Sequence, residues 1–174
     1  MNNIVLSSDA STSWGMSGVV RFLEGHANYK DLGGLFWQMS WDEWDTIQSF
    51  VQLSVRDVKI NVAEFLAVLI TFETFTSMCA GKFTTMEIDN KVAKSWWDSS
   101  RCPISPFDRC AQGVHLHMLK EVIKIKTEWI PSKANALADS CSRNRFSGRS
   151  EGHVISGIRM KRVRPRFTNV LRFL

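Results

Sequence analysis

The chain has 174 residues, of which 44% are hydrophobic and 22% charged, with only 10 Gly and 4 Pro. That mixture can bury a core and fits one domain, which excludes disordered and collagen-like classes. The net charge of +5 is unevenly placed. From Arg143 onward nine Lys and Arg accompany one acid, Glu151, for a net +8. The residues before them hold 13 basic and 16 acidic side chains, a net −3. An acidic-leaning body over 1–143 therefore precedes a basic tail over 144–174, which is either a polyanion-binding segment or a solvated terminus.

In chain order, Ile4-Val5-Leu6 and the run from Trp14 to Leu23 flank the small polar cluster Ser7 to Ser11, and together they read as a hairpin. Gly33-Gly34 precedes a third strand over Leu35 to Trp41. Residues 41 to 59 contain Trp41, Trp44 and clustered acids without a clean period, and they read as a loop with one helical turn at most. After Asn61, a good N-cap, the segment Val62 to Phe75 is apolar almost all round, the pattern of a helix buried against a sheet, and Gly81 closes it. Lys82 to Ile88 reads as a strand, Lys91 to Trp97 as a short helix, and Phe107 to Glu121 as a longer one with Cys110, Val114, Met118 and Val122 at fourfold spacing. Val122 to Ile130 alternates as a strand until Pro131 breaks it, and Ala134 to Arg143 forms the last short helix. The order β-β-β-α-β-α-α-β-α predicts an α/β mixed sheet, antiparallel where turns are direct and parallel where helices cross over.

No run is expected to reach the ~18–20 apolar residues of a membrane span, and no membrane partner is expected. The first residues lack the basic start and long apolar stretch of a signal peptide. Cys79, Cys102, Cys110 and Cys141 have no C-x-x-C spacing, so reduced thiols in an intracellular setting are expected, not a disulfide framework or zinc ribbon. His115-x-His117 points its rings about 200° apart on a helix, which does not suit a shared metal. The tryptophans are read as packing residues that also have the chemistry to stack on bases.

Four acids occupy unusual places. Asp9 directly follows an apolar strand, Glu64 sits in the apolar helix, Asp89 ends a buried strand, and Asp139 lies among Ala136, Leu137 and Ala138. Carboxylates are rarely buried without partners, and no Arg or Lys stands immediately beside these four in sequence. Hard divalent cations such as Mg²⁺ or Mn²⁺ would satisfy them. Each acid taken alone reads better as a cap, turn or surface residue, and only their placement together on successive elements points to a shared site.

Here the residues carry a family likeness. Ser8-Asp9-Ala10-Ser11 with Trp14-Gly15 and Gly18 resembles the first-strand motif of ribonuclease H. Asn61 to Val68 resembles the helix that supplies its glutamate, and Ile88-Asp89-Asn90 with Val92, Ala93 and Trp97 resembles its second-aspartate strand end. Trp129 to Arg143 is similar to the closing helix of the ribonuclease H that follows reverse transcriptase in LTR-type and tyrosine-recombinase retroelements. The resemblance covers roughly residues 4 to 143 and implies a five-stranded mixed sheet flanked by helices. It also implies an endoribonuclease that cuts the RNA strand of RNA–DNA hybrids during retroelement reverse transcription.

The resemblance assigns Asp9, Glu64, Asp89 and Asp139 as carboxylates holding two Mg²⁺ or Mn²⁺ ions about 3.5–4 Å apart. It implies an RNA–DNA hybrid as substrate and a reverse transcriptase domain or subunit as partner, in cytoplasm, nucleus or a virus-like particle. Ser11, Asn90, Lys133 and Asn135 are candidate substrate contacts. Asn90 is placed to read a 2′-hydroxyl or to cap a helix, and Lys133 to contact a phosphate or simply to be solvated. Two departures stand out: the loop Pro131-Ser132-Lys133 has no histidine, and Ser132 replaces the usual glycine. The alternative from another class is a weak or inactive ribonuclease H-like module that binds nucleic acid or a polymerase. Exonuclease and integrase readings are demoted, the first because Asp9-Ala10-Ser11 lacks a second acid.

Overall fold

The computed structural model describes residues 3–48, 60–149 and 152–173. Strand β1 (Ile4–Ala10) turns directly into β2 (Gly15–Phe22), and β3 (Gly34–Ser40) completes an antiparallel meander. Helix α1 (Trp41–Gln48) and the long α2 (Ile60–Cys79) follow, then β4 (Phe83–Ile88), α3 (Lys91–Ser99), α4 (Ser105–Lys120) and β5 (Lys124–Trp129). A 3₁₀ turn over Ser132–Ala134 leads into α5 (Ala136–Ser142). The chain ends with β6 (Ser147–Arg149), β7 (Gly152–Ile155), β8 (Ile158–Arg162) and α6 (Thr168–Phe173).

The expected strand pairing is present: β4 joins β1 and β5 joins β4, both parallel because helices carry the chain across between them. The sheet, however, has eight strands where five were expected, in the order β5-β4-β1-β2-β3-β8-β7-β6. The three additional strands come from the basic segment, and β8 runs parallel to β3 with Phe36 opposite Arg162.

Helix α2 is apolar all round because it is covered all round. Its residues from Val62 to Phe75 are buried against one face of the sheet. At 20 residues it has the length and composition of a membrane span, contrary to the expectation from sequence, but it serves as the core helix of this domain. Gly18 lets it approach: a Cβ there would lie 1.9 Å from Thr71 Oγ1 and 2.2 Å from Trp37 Nε1, the two atoms that share a 3.1 Å hydrogen bond. The opposite face carries a smaller core of Val19, Phe36, Leu137, Ala138, Cys141, Ile155 and Met160, which binds α5 and the added strands to the meander.

Two local expectations need correction. Residues 41–48 are a helix, not a loop, because the Ser40 hydroxyl accepts the Glu43 N–H and Trp44 is fully buried. The rest of that loop reading, 49–59, lies outside the described residues. Asn61 is not the cap of α2, which begins at Ile60 at the latest; its side-chain oxygen instead accepts from Asn90 Nδ2 at 3.0 Å.

Candidate metal centre

The acids meet where the parallel strands end. Ser7 of β1 pairs with Glu87 of β4, so two residues further along Asp9 and Asp89 stand side by side. Glu64, on the first turns of α2, enters the same rim, and its carboxylate accepts a hydrogen bond from the Ala10 backbone. One ligand oxygen from each of Asp9, Glu64 and Asp89 lies within 4.8 Å of the others. Asp9 and Glu64 are only 5% and 7% exposed, and Asp89 beside them is half-buried.

Burial is the main reason their protons are held tightly. It pushes Glu64 up to about 9, with repulsion from Asp9 and Asp89 adding to the rise. Asp9 rises to about 7, chiefly through burial, against the lowering effect of a hydrogen bond from Ser142 Oγ at 2.5 Å. Asp89 is raised by burial too, and hydrogen bonds from Asn135 and Ser132 oppose the rise. Among the described residues the Oε2 atom of Glu64 is buried with no hydrogen-bond partner. Hard oxygens in a shared pocket, one of them orphaned, make a donor set that fits a divalent cation.

Asp139 belongs to this neighbourhood without joining the cluster. Its charge acts on Asp9, Glu64 and Asp89, yet its own Oδ1 accepts from Arg143 Nε at 2.8 Å. No arginine adjoins it in sequence, but four residues along a helix is one turn, and that brings Arg143 to it. Of the four acids, Asp139 is thus the one whose charge an arginine partly answers in the fold.

The expected substrate contacts divide. Lys133 is exposed in the 3₁₀ turn. Asn135 is 3% exposed; its Nδ2 donates to the Ser8 carbonyl at 2.9 Å, and it also hydrogen-bonds Asp89, so it holds the rim together. Asn90 caps α3 by accepting from Ala93 N at 2.8 Å. Ser11 is 2% exposed and turned inward, donating to the Ser142 carbonyl at 2.6 Å. Sequence reasoning missed Ser142, Arg143 and the role of Trp129. Trp129 Nε1 donates to the Asp89 carbonyl at 3.1 Å, while the Lys91 ammonium sits 4.7 Å above its ring. The signal for the first two was their helical spacing from Asp139; nothing in the sequence marks the third.

His115 contacts the Ala111 carbonyl and the Trp97 ring, and His117 the Thr76 hydroxyl and the Phe72 ring. Cys141 is a buried packing thiol, pushed up to about 12 by burial.

No protein-family model matches the chain, and no curated protein matches it by sequence. Solved structures do. The N-terminal RNase H domain of a Mycobacterium tuberculosis protein, solved as a fusion with maltose-binding protein, aligns with a TM-score of 0.55 at 16% identity, over 82% of this chain and 91% of that one. RNase H1 from the halophilic archaeon Halobacterium salinarum aligns with a TM-score of 0.53 at 12% identity, over 82% and 96%. LC11-RNase H1, isolated from compost by a metagenomic approach, aligns with a TM-score of 0.51 at 16% identity, over 81% and 93%. At such identities the likeness concerns architecture: the chain has the ribonuclease H-like fold.

Proposed function

We propose that this protein is a metal-dependent endoribonuclease that hydrolyses the RNA strand of RNA–DNA hybrids. The observation that carries the reading is the convergence of Asp9, Glu64 and Asp89 within 4.8 Å at one sheet rim. The solved proteins of like fold are ribonucleases H by name, which supports the same chemistry. Divalent ions bound at such carboxylates supply a water activated for attack and positive charge on the phosphodiester.

The chain's own residues would set up that chemistry. Asp9, Glu64 and Asp89 are the holding groups, with Asp139 at the edge once Arg143 lets go. Ser142 fixes the orientation of Asp9, and Asn135 and Trp129 fix Asp89 through side chain and backbone respectively. Lys133 stands on the exposed turn beside Asn135, available to a phosphate. The turn has no histidine, so this chain handles its protons without an imidazole there. The similarity of Trp129 to Arg143 to retroelement enzymes supports a place beside a reverse transcriptase, acting on the hybrid that reverse transcription leaves.

Incubating the protein with a labelled hybrid in Mg²⁺ or Mn²⁺ tests the reading, with cleavage expected and Asp89→Asn expected to abolish it. Absence of cleavage, or cleavage that survives Asp89→Asn, overturns it. One observation favours a second reading, a nuclease-shaped binding module: Asp139 is engaged by Arg143 and stands apart from the other three. Tight hybrid binding in EDTA, with no cleavage when metal is restored, would select the module.

A further inference from the structure

The described residues beyond α5 join the sheet, and their placement gives their charge a direction. Leaving α5, the chain passes Asn144 over β3, where Gln38 Nε2 donates to Asn144 Oδ1 at 3.2 Å. It then sets Phe146 edge-on to Phe36. Strand β8 returns alongside β3 in the same direction as β1 and β4, so its C-terminal end points to the rim that bears the acids. Register places the faces. Asp9 pairs with Ser17 and Ser17 with Gln38; two residues back on the same face lie Ser7, Val19, Phe36 and Arg162. Strand spacing and rise put the Arg162 backbone about 16 Å from that of Asp9. Arg162 is exposed, yet its charge reaches the Cys141 thiol on α5, which confirms the face.

Arg145 and Arg162 are both exposed and make no ion pair among the described residues. The other half of the sheet differs, because there Arg21 pairs with Glu87 at 3.0 Å and Lys126 with Glu128 at 3.0 Å. Covering the edge of β3 needs only backbone pairing and calls for no arginine. Uncompensated guanidinium groups, forked to match phosphate oxygens, are what a polyanion-binding strip adds to such a cover.

We propose that Arg145 and Arg162 form a phosphate-binding strip that holds the backbone of a nucleic-acid duplex alongside the acid rim, with β6–β8 as its platform. The inference builds on the nuclease reading, because it takes the duplex at the strip to be the one presented to the acids. A duplex lying over Asp9 and extending across β3 brings phosphates to the strip, whereas an acidic protein would gain nothing from this continuity with the rim.

The test is hybrid binding by the full chain in EDTA, followed by fluorescence anisotropy over a salt series. Wild type is compared with R145Q/R162Q and with K30Q/K120Q. The latter pair removes the same charge at exposed positions on the loop after β2 and the end of α4, away from the acid rim. Each lost phosphate contact lowers the steepness of log affinity against log salt by ~0.7–0.9, so the strip variant should lose about 1.4–1.8 in slope and on the order of tenfold or more in affinity. The control pair should stay near wild type. An unchanged slope in R145Q/R162Q, an equal loss in K30Q/K120Q, or no hybrid binding by wild type at low salt overturns the strip. D89N in the same assay separates the two claims: it should keep the wild-type slope. If it still cleaves when metal is restored, the reading of the acids falls while the slope result stands.

Discussion

Ser142 carries more of the site than its chemistry suggests. It is fully buried, donates to Asp9 Oδ2 at 2.5 Å, and also contacts the Asp139 carbonyl at 3.0 Å. Its hydrogen bond is what lowers Asp9 against burial, so Ser142→Ala should raise Asp9 further above about 7. The acid limb of the pH–rate profile for hybrid cleavage then moves to higher pH, and the folded state loses about 1–2 kcal/mol for the missing bond. A profile superimposable on wild type would show that Ser142 only packs. Arg143 is the contrasting neighbour. Its side chain is 36% exposed and that of Asp139 43%, so solvent screens the pair to about 0–1 kcal/mol. Arg143→Ala should accordingly shift Tm by less than about 4 °C. A larger drop in a thermal melt would mean that the pair holds α5 in place and is no mere surface contact.

At the scale of elements, the C-terminal segment behaves as core. Met160 on β8 is fully buried against Phe36, Val19 and α5, and Val170 on α6 is 1% exposed against the α2 side. Glu73 of α2 fastens α6 by accepting from Asn169 N at 2.9 Å and Val170 N at 3.1 Å. Met160→Ala should therefore cost about 2–5 kcal/mol in denaturant unfolding, whereas a residue on a solvated tail would cost almost nothing. Strands β6 to β8 were illegible in the sequence for a physical reason. They are three to five residues long, without an apolar alternation, and are ordered by pairing in turn outward from the edge of β3. The meander and α2 were legible from their apolar runs, and β5 from its alternation up to Pro131. Helix α1 was hidden because Trp41 and Trp44 sit among acids without a period, and its start depends on Ser40 as a cap. The same logic divides the site. Asp9, Glu64 and Asp89 announce themselves as acids in apolar surroundings. Ser142 and Arg143 are ordinary residues whose roles arise only when α5 coils them back onto Asp9 and Asp139.

For the whole molecule, the buried acids set how stability depends on pH and metal. Glu64 is raised from 4.5 to about 9 and Asp9 from 3.8 to about 7, so between those limits the folded state binds more protons than the unfolded chain. Stability from these groups is complete below the unfolded values and drains away as pH rises toward the folded ones. In EDTA the protein should therefore melt at lower temperature at pH ~8 than at pH ~5.5. A cation that binds the ionised cluster competes with its protons, so it stabilises most where those protons are already leaving. An excess of about a hundredfold over Kd adds ~2.7 kcal/mol, or roughly 5–10 °C in a chain of this size. Mg²⁺ or Mn²⁺ should give that shift at pH ~8 and much less at pH ~5.5. Glu64→Gln removes the most strongly perturbed carboxyl. It should melt higher than wild type in EDTA at alkaline pH, lose the dependence tied to Glu64, and gain little from metal. Equal metal shifts at both pH values, or a full metal shift in Glu64→Gln, would place the cation somewhere other than among Asp9, Glu64 and Asp89.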